Sequence, residues 1–221
     1  MTADSPRPAD PRRLRAFSPI YPIIDVDFCR HRGIDPSSLA AACLRGGATL
    51  LQVRQKSGGS GAFLALVRDL LRLPDAAEAT IVVNDRADIA CMAGAPGVHV
   101  GQEDLPVAAV RAVCGRDARV GVSTHTEAQV DAAAGAEIDY VAVGPIFGTA
   151  TKETGYTARG LDLVRYAARQ GKPVVAIGGI TVEGARVVRD AGATAVAVIS
   201  DLLAGDDPEA RVREYLRALS I

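Results

Sequence analysis

The sequence predicts an α/β fold, a single (β/α)8 (TIM) barrel around a parallel sheet, and three observations predict it. From Ile20 onward, short runs rich in Val and Ile alternate with longer Ala, Leu and Arg stretches, the pattern of repeated βα units. Eight such runs occur. Each is almost continuously apolar, as strands covered on both faces must be. An open doubly wound sheet gives a similar pattern, and the count of eight strands and eight helices favours the closed barrel.

Taken in order, strands are expected at 20–25, 49–54, 80–84, 97–100, 119–123, 140–144, 173–177 and 195–200. Helices are expected at 38–44, 62–71, 87–93, 106–113, 127–134, 161–170, 182–191 and 208–219. Several of these end at a glycine, as at Gly46, Gly115, Gly135 and Gly171, where a left-handed cap residue is cheap. No linker or low-complexity block interrupts the series after residue 20. The first sixteen residues hold three prolines, several charges and no apolar core of a secretory signal, so 1–16 reads as a disordered N-terminal tail and 17–221 as the barrel. Arg12, Arg13 and Arg15 in that tail read as a solvated charge run.

At 221 residues and 48% hydrophobic content the chain can bury a large core as one domain. Its 25 Lys and Arg balance 26 Asp and Glu, so no excess positive charge draws it onto nucleic acid or an acidic membrane, and small molecules are the expected partners. The longest apolar stretches are strand-sized, well short of the roughly 20 residues that a membrane span requires. Cys29, Cys43, Cys91 and Cys114 include no C-x-x-C pair, which fits four reduced thiols in a cytoplasmic protein. A homo-oligomer is left open.

Barrel enzymes build their sites from the C-terminal ends of strands and the loops that follow, and the unusual polar residues fall there. The second strand runs into Gln52, Arg54 and Lys56, which share one face because side chains alternate along a strand. Two adjacent cations at a strand end suit a phosphate, and the alternative is a surface basic pair. Asp85 follows the third strand and Asp104 the fourth, near enough on adjacent loops to reach one Mg2+, which takes one or two carboxylates and completes its shell with water and phosphate oxygens. Either aspartate alone would suit a helix N-cap.

The fifth strand delivers Ser123 and then His125, a candidate acid or base unless Thr126 simply opens the next helix. His99, inside the fourth strand, reads as a packed and hydrogen-bonded residue, and His31 as loop. After the sixth strand comes a glycine-bearing loop ending in Thr149, Ala150, Thr151 and Lys152, with Ile146 and Phe147 either over a bound ring or in the core. The seventh and eighth strands end at Gly178-Gly179 and Ile199-Ser200, where barrels recurrently bind phosphate, with a tight turn as the alternative for the glycines. Two anion sites in one mouth, one cationic and one made of backbone donors, imply two phosphorylated substrates.

The segments Gln52-Val53-Arg54-Gln55-Lys56, Asn84-Asp85-Arg86, Gly97-Val98-His99 through Asp104, Gly144-Pro145-Ile146-Phe147 through Lys152, Gly178-Gly179 and Ile199-Ser200 resemble, in that order, the motifs of thiamine phosphate synthases. Each is weak alone and the combination, over roughly residues 20 to 205, is specific. The resemblance implies transfer of an aminomethylpyrimidinylmethyl group from its diphosphate to the nitrogen of hydroxyethylthiazole phosphate, plain or carboxylated, with release of pyrophosphate. It places Gln52, Val53, Arg54, Gln55, Lys56, Asn84, Ser123 and Lys152 on the pyrimidine diphosphate. It places Thr149, Ala150, Thr151, Gly179, Ile199 and Ser200 on the thiazole phosphate, and Asp85 and Asp104 on Mg2+. Arg54, Lys56, Ser123 and Lys152 would be the catalytic set. Gly148 and the stretch 153–159 depart from the pattern, as does the segment 21–36. Two other readings stand beside this one: a thiazole tautomerase on the same barrel, using a histidine near the position of His125, and a non-catalytic barrel that binds a phosphorylated ligand.

Overall fold

Val- and Ile-rich segments become strands here because their branched side chains pack well on a pleated surface that is buried on both sides. The computed structural model describes residues 17–148 and 157–220. In it eight parallel strands close into a barrel in chain order, each hydrogen-bonded to the next and the last to the first, which excludes the open sheet. The strands are β1 (Ile20–Asp25), β2 (Leu50–Arg54), β3 (Thr80–Asn84), β4 (Gly97–Val100), β5 (Arg119–Thr124), β6 (Tyr140–Val143), β7 (Val174–Ile177) and β8 (Ala195–Val198). The helices among the described residues are α1 (Val26–His31), α2 (Pro36–Arg45), α3 (Ser60–Leu71), α4 (Ala87–Ala93), α5 (Val107–Cys114), α6 (Glu127–Ala134), α7 (Gly160–Ala168), α8 (Val182–Asp190) and α9 (Pro208–Leu219). No helix among the described residues is long and apolar enough to cross a membrane. The tail expected at 1–16 lies outside the described residues.

Two differences from the sequence expectation matter for the site. The six-residue α1 was expected as loop, because one and a half turns are too short to show a helical period. It is nucleated by Asp25, whose carboxylate accepts the Phe28 N–H at 3.0 Å. The eighth strand stops at Val198, short of the expected residue 200, because Ser200–Leu203 turns into a single 3-10 helix. Elsewhere the bounds shift by a residue or two. Asp35 caps α2 with Pro36 at its first position, for example, so that helix begins before residue 38.

Alternation along the strands splits the apolar residues into two cores. Ile24, Leu51, Val53, Ile81, Val83, Val98, Val120, Val141 and Val196 point outward and pack beneath the helices. Tyr21, Ile23, Leu50, Val82, Tyr140, Ala142, Val175, Ala195 and Ala197 fill the barrel interior. The interior is uneven. Near the floor, the Tyr140 ring spans the lumen and meets Phe17 edge-on at 5.3 Å, with the Arg119 guanidinium 5.3 Å from the Phe17 ring. Gly121 makes room for it, since a Cβ there would fall 2.0 Å from Tyr140 Cζ. Toward the C-terminal ends, Ala142 and Ala197 leave the lumen open, and that space is the mouth.

Candidate active site

A cavity of about 260 Å³ opens where the strands end. Gln52, Arg54, Asn84 and Ser123 line one side, and Gly179, Ile199 and Ser200 line the other.

The first wall is charged and incompletely satisfied. Arg54 ends β2 beside Asp25, its register partner at the end of β1, and the two form an ion pair with side chains 14% and 6% exposed. Arg54 Nε and Asn84 Nδ2 are buried with no hydrogen-bond partner. A buried donor left unpaired costs about 1–3 kcal/mol, so these two nitrogens carry a cost that the resting structure does not offset. The loop after β2 is knotted to α1: Asp27 accepts the backbone N–H of Lys56 at 2.8 Å and of Ser57 at 3.2 Å, and also the Ser57 hydroxyl.

Lys56 reaches across to Asp85, which sits just past β3 at φ 61°, the one described residue other than glycine with a positive φ. That conformation costs an L-residue roughly 1–2 kcal/mol and is held by the Asp85 N–H donating to His99 O at 2.7 Å. Neither Asp85 nor Asp104 is a helix cap: Arg86 precedes α4 and Pro106 precedes α5. Instead the two carboxyl groups are neighbours that bear on each other's proton affinity. Burial raises the Asp85 carboxyl, Lys56 opposes that, and Asp104 adds to the rise. For Asp104 burial is outweighed by hydrogen bonds from Asp85 and from the Gly101 N–H at 2.7 Å, and its carboxyl is lowered. Two neighbouring carboxyl groups whose proton affinities are driven apart are what a hard divalent cation would relieve. No cluster of three or more His, Cys, Asp or Glu occurs among the described residues, so a cation here would complete its shell with water and ligand oxygens.

The opposite wall is nearly uncharged. Gly178 and Gly179 follow β7 with φ of 106° and 63°, and a Cβ at either would strike the loop after β6, at Pro145 Cβ (2.6 Å) or Gly148 O (2.4 Å). The close approach of the two loops therefore accounts for both glycines, and it brings bare backbone to the cavity edge. Ile146 N–H and Phe147 N–H donate to Ile177 O and Gly178 O, which locks the two loops together. Ile146 is fully buried and Phe147 packs on the outer core, so both have the core-facing role. Behind β8, Asp201 accepts Arg211 Nη2 at 2.8 Å and the Tyr215 hydroxyl, anchoring the Ser200 turn to α9.

A hydrogen-bonded chain runs under the cavity floor. Gln52 Nε2 donates to Tyr21 OH at 3.1 Å, Tyr21 OH lies 2.9 Å from Tyr140 OH, Tyr140 OH 3.0 Å from His99 Nδ1, and His99 Nε2 2.8 Å from Ser123 Oγ. His125 also lines the cavity, with Nδ1 donating to Gly144 O at 2.6 Å, while Thr126 caps α6.

A family model described as thiamine monophosphate synthase matches residues 20–202. The chain belongs to that family. The thiamine-phosphate synthase of Koribacter versatilis (strain Ellin345) is 45% identical over 207 residues, covering 90% of this chain and 95% of the relative. That of Thermosynechococcus vestitus (strain NIES-2133 / IAM M-273 / BP-1) is 44% identical over 183 residues, 82% of this chain and 52% of the relative, so the chain spans about half of that protein. Among solved structures, a thiamine phosphate pyrophosphorylase from Pyrococcus furiosus superposes with a TM-score of 0.83 at 27% identity, covering 93% of this chain and 97% of the other. Membership in the thiamine monophosphate synthase family makes the chain an enzyme, a transferase.

Of the residues singled out for a member of this family, Gln52, Arg54, Asn84, Ser123, Gly179, Ile199 and Ser200 line one cavity. Lys56, Asp85 and Asp104 stand beside it on the rim of β2 to β4. Val53 does not face the mouth: it is fully buried in the outer core, because alternation turns it away from Gln52 and Arg54. Gln55 packs within its own loop, its Nε2 2.8 Å from where a Gly58 Cβ would stand. Thr149, Ala150, Thr151 and Lys152 lie outside the described residues. Asp25 and Asp27 were not anticipated. Asp25 had the same signal as Asp85, an acid ending an apolar strand.

Proposed function

We propose that the chain joins an aminopyrimidinylmethyl diphosphate to a hydroxyethylthiazole phosphate. The carbon–oxygen bond to the diphosphate breaks, a carbon–nitrogen bond to the thiazole forms, and pyrophosphate departs. The observation that carries this reading is the pairing, in one cavity, of a cationic wall holding unpaired Arg54 and Asn84 donors with a glycine-backbone wall beside Ser200. The family membership supports it.

On this reading Arg54 and Lys56 neutralise charge on the leaving diphosphate, Arg54 through a forked contact from a guanidinium held by Asp25. Lys152 joins them. Asp85 and Asp104 would hold Mg2+, which adds charge stabilisation to the diphosphate. Gln52 orients the pyrimidine, Ser123 donates to the diphosphate, and Gly179, Thr149, Ala150, Thr151 and the Ile199–Ser200 turn hold the thiazole phosphate close to the carbon under attack. No protein nucleophile is required.

The deciding experiment measures pyrophosphate release by purified protein given both substrates, with Mg2+ and then with excess chelator. Release that needs both the thiazole and the metal, with an equal amount of thiamine phosphate formed, is the expected result. A second reading rests on His125, whose Nδ1 is committed to Gly144 O within the same cavity wall: a thiazole phosphate tautomerase. Isomerisation of the thiazole phosphate with no pyrophosphate release selects it. Tight binding without turnover of either kind selects a binding barrel.

A further inference from the structure

The chain of side chains beneath the cavity has a direction that can be worked out by counting protons. Tyr21 and Tyr140 are fully buried, and burial pushes both phenols far above their usual range, so each keeps its one proton and donates once. Gln52 Nε2 donates to Tyr21 OH. Tyr21 must then send its proton to Tyr140 OH, and Tyr140 its own to His99 Nδ1. An imidazole that accepts at Nδ1 carries its proton on Nε2, and that proton goes to Ser123 Oγ.

Each end of the chain acquires a fixed polarity. The Gln52 Oε1 carbonyl is left as an acceptor in the cavity wall, and the Ser123 hydroxyl, its oxygen occupied by His99, is left as a donor. Reversing the chain would reverse both, presenting an amide N–H and a serine lone pair. The packing keeps the chain in place, because Tyr140 OH lies so close to Gly121 that any Cβ there would meet it at 2.4 Å.

We propose that Tyr21, Tyr140 and His99 are positioning residues, a one-way hydrogen-bond chain that makes Gln52 an acceptor for N–H groups of an aminopyrimidine and Ser123 a donor to an anionic ligand oxygen. This deepens the reading of the site given above and rests on it for the identity of the ligand, whereas the protonation pattern stands on the resting protein alone.

Two measurements test it. The first is the nitrogen-15 spectrum of histidine side chains in the intact protein, with His99 assigned by its loss in His99→Gln. The expected pattern is a protonated Nε2 and an unprotonated, hydrogen-bonded Nδ1, and a protonated Nδ1 would overturn the proposal whatever the enzyme turns over. The second compares Tyr140→Phe with Tyr21→Phe. Tyr140→Phe removes the donor to Nδ1, so that resonance moves and kcat falls about tenfold, as expected when one buried hydrogen bond is cut. Tyr21→Phe leaves Tyr140 donating to His99, so the Nδ1 resonance stays and KM for the pyrimidine diphosphate rises about tenfold instead. If both variants lower kcat and raise KM alike, with Nδ1 unmoved in each, the chain is packing only and the proposal fails. Absence of pyrophosphate release from the unmodified protein would sink the proposed reaction and leave the histidine spectrum to decide the chain.

Discussion

The two ends of the barrel are built from the same residue types with opposite outcomes. At the floor, Arg111 donates to Glu137 O at 2.9 and 2.7 Å, to Arg116 O and Ala118 O, and to Asp139 at 2.8 Å, and Asp139 accepts Val120 N–H at 2.8 Å. One half-buried guanidinium thereby stitches the start of β5 to the start of β6. At the mouth, Arg54 also meets a carboxylate, yet its Nε is left over, Asn84 keeps an unused N–H, Asp85 is bent into the left-handed region and two carboxyls crowd each other. At about 1–3 kcal/mol for each unpaired donor and about 1–2 for the backbone of Asp85, the mouth holds a sizeable part of the 5–15 kcal/mol by which a domain is usually stable. The floor and the outer core must supply that margin. The same kind of arginine–aspartate pair thus stabilises where it is complete and leaves a donor unused where it is not.

The largest effect is expected at the floor. Asp139→Ala leaves the half-buried Arg111 without its counter-charge and Val120 N–H without its acceptor, and is expected to lower stability by about 3 kcal/mol, roughly 10 °C in Tm. The kcat of the folded fraction should stay as it was. A variant that keeps its Tm but loses turnover would show that the ends are not divided in this way. At the mouth the opposite pattern is expected of Asp85→Asn. Asparagine tolerates a positive φ and ends the crowding with Asp104, so Tm should hold or rise, while Mg2+-dependent kcat/KM falls about 100-fold. Calorimetry and a pyrophosphate assay on the same preparation read both, and a Tm loss as large as that of Asp139→Ala would contradict the stored-strain account.

How far the sequence reveals each end follows from the range of the interactions. The barrel was legible because short, almost continuously apolar runs alternating with longer helical stretches carry their own signature, repeated from Ile20 to Val198. Asp85, Asp104, Ser123 and Arg54 were legible because a polar residue at the end of an apolar strand or in the loop that follows must lie at the C-terminal rim once the fold is granted. Val53 shows the cost of reading a motif as a block: its neighbours face the lumen and it faces the helices. The Tyr21–Tyr140 contact was not legible at all, since the two lie 119 positions apart and each alone is an ordinary core tyrosine. Asp27 was hidden for a similar reason, in a helix too short to announce itself and bonded to a loop thirty residues on.

Asp27 gives the smallest test, because it belongs to the mouth yet contributes to holding the fold. Burial alone would raise its carboxyl, but hydrogen bonds from the Ser57 hydroxyl and the Lys56 and Ser57 N–H groups, with Arg30 nearby, outweigh that and lower it. A carboxyl held lower in the folded than in the unfolded chain stabilises fully above the unfolded value, about 4, and loses that contribution as pH falls through the folded value. With its side chain 21% exposed, the expected contribution is small, about half a kcal/mol. The Tm difference between the unmodified protein and Asp27→Asn should therefore be constant from pH 7 to about 5 and shrink below about 4. Because the loop it pins carries Lys56, KM for the pyrimidine diphosphate should rise in the variant even at neutral pH, where the fold is intact. A Tm difference that widens on acidification would mean that the protonated carboxyl is the stabilising form. The loop would then be held by something other than the charge at its hinge.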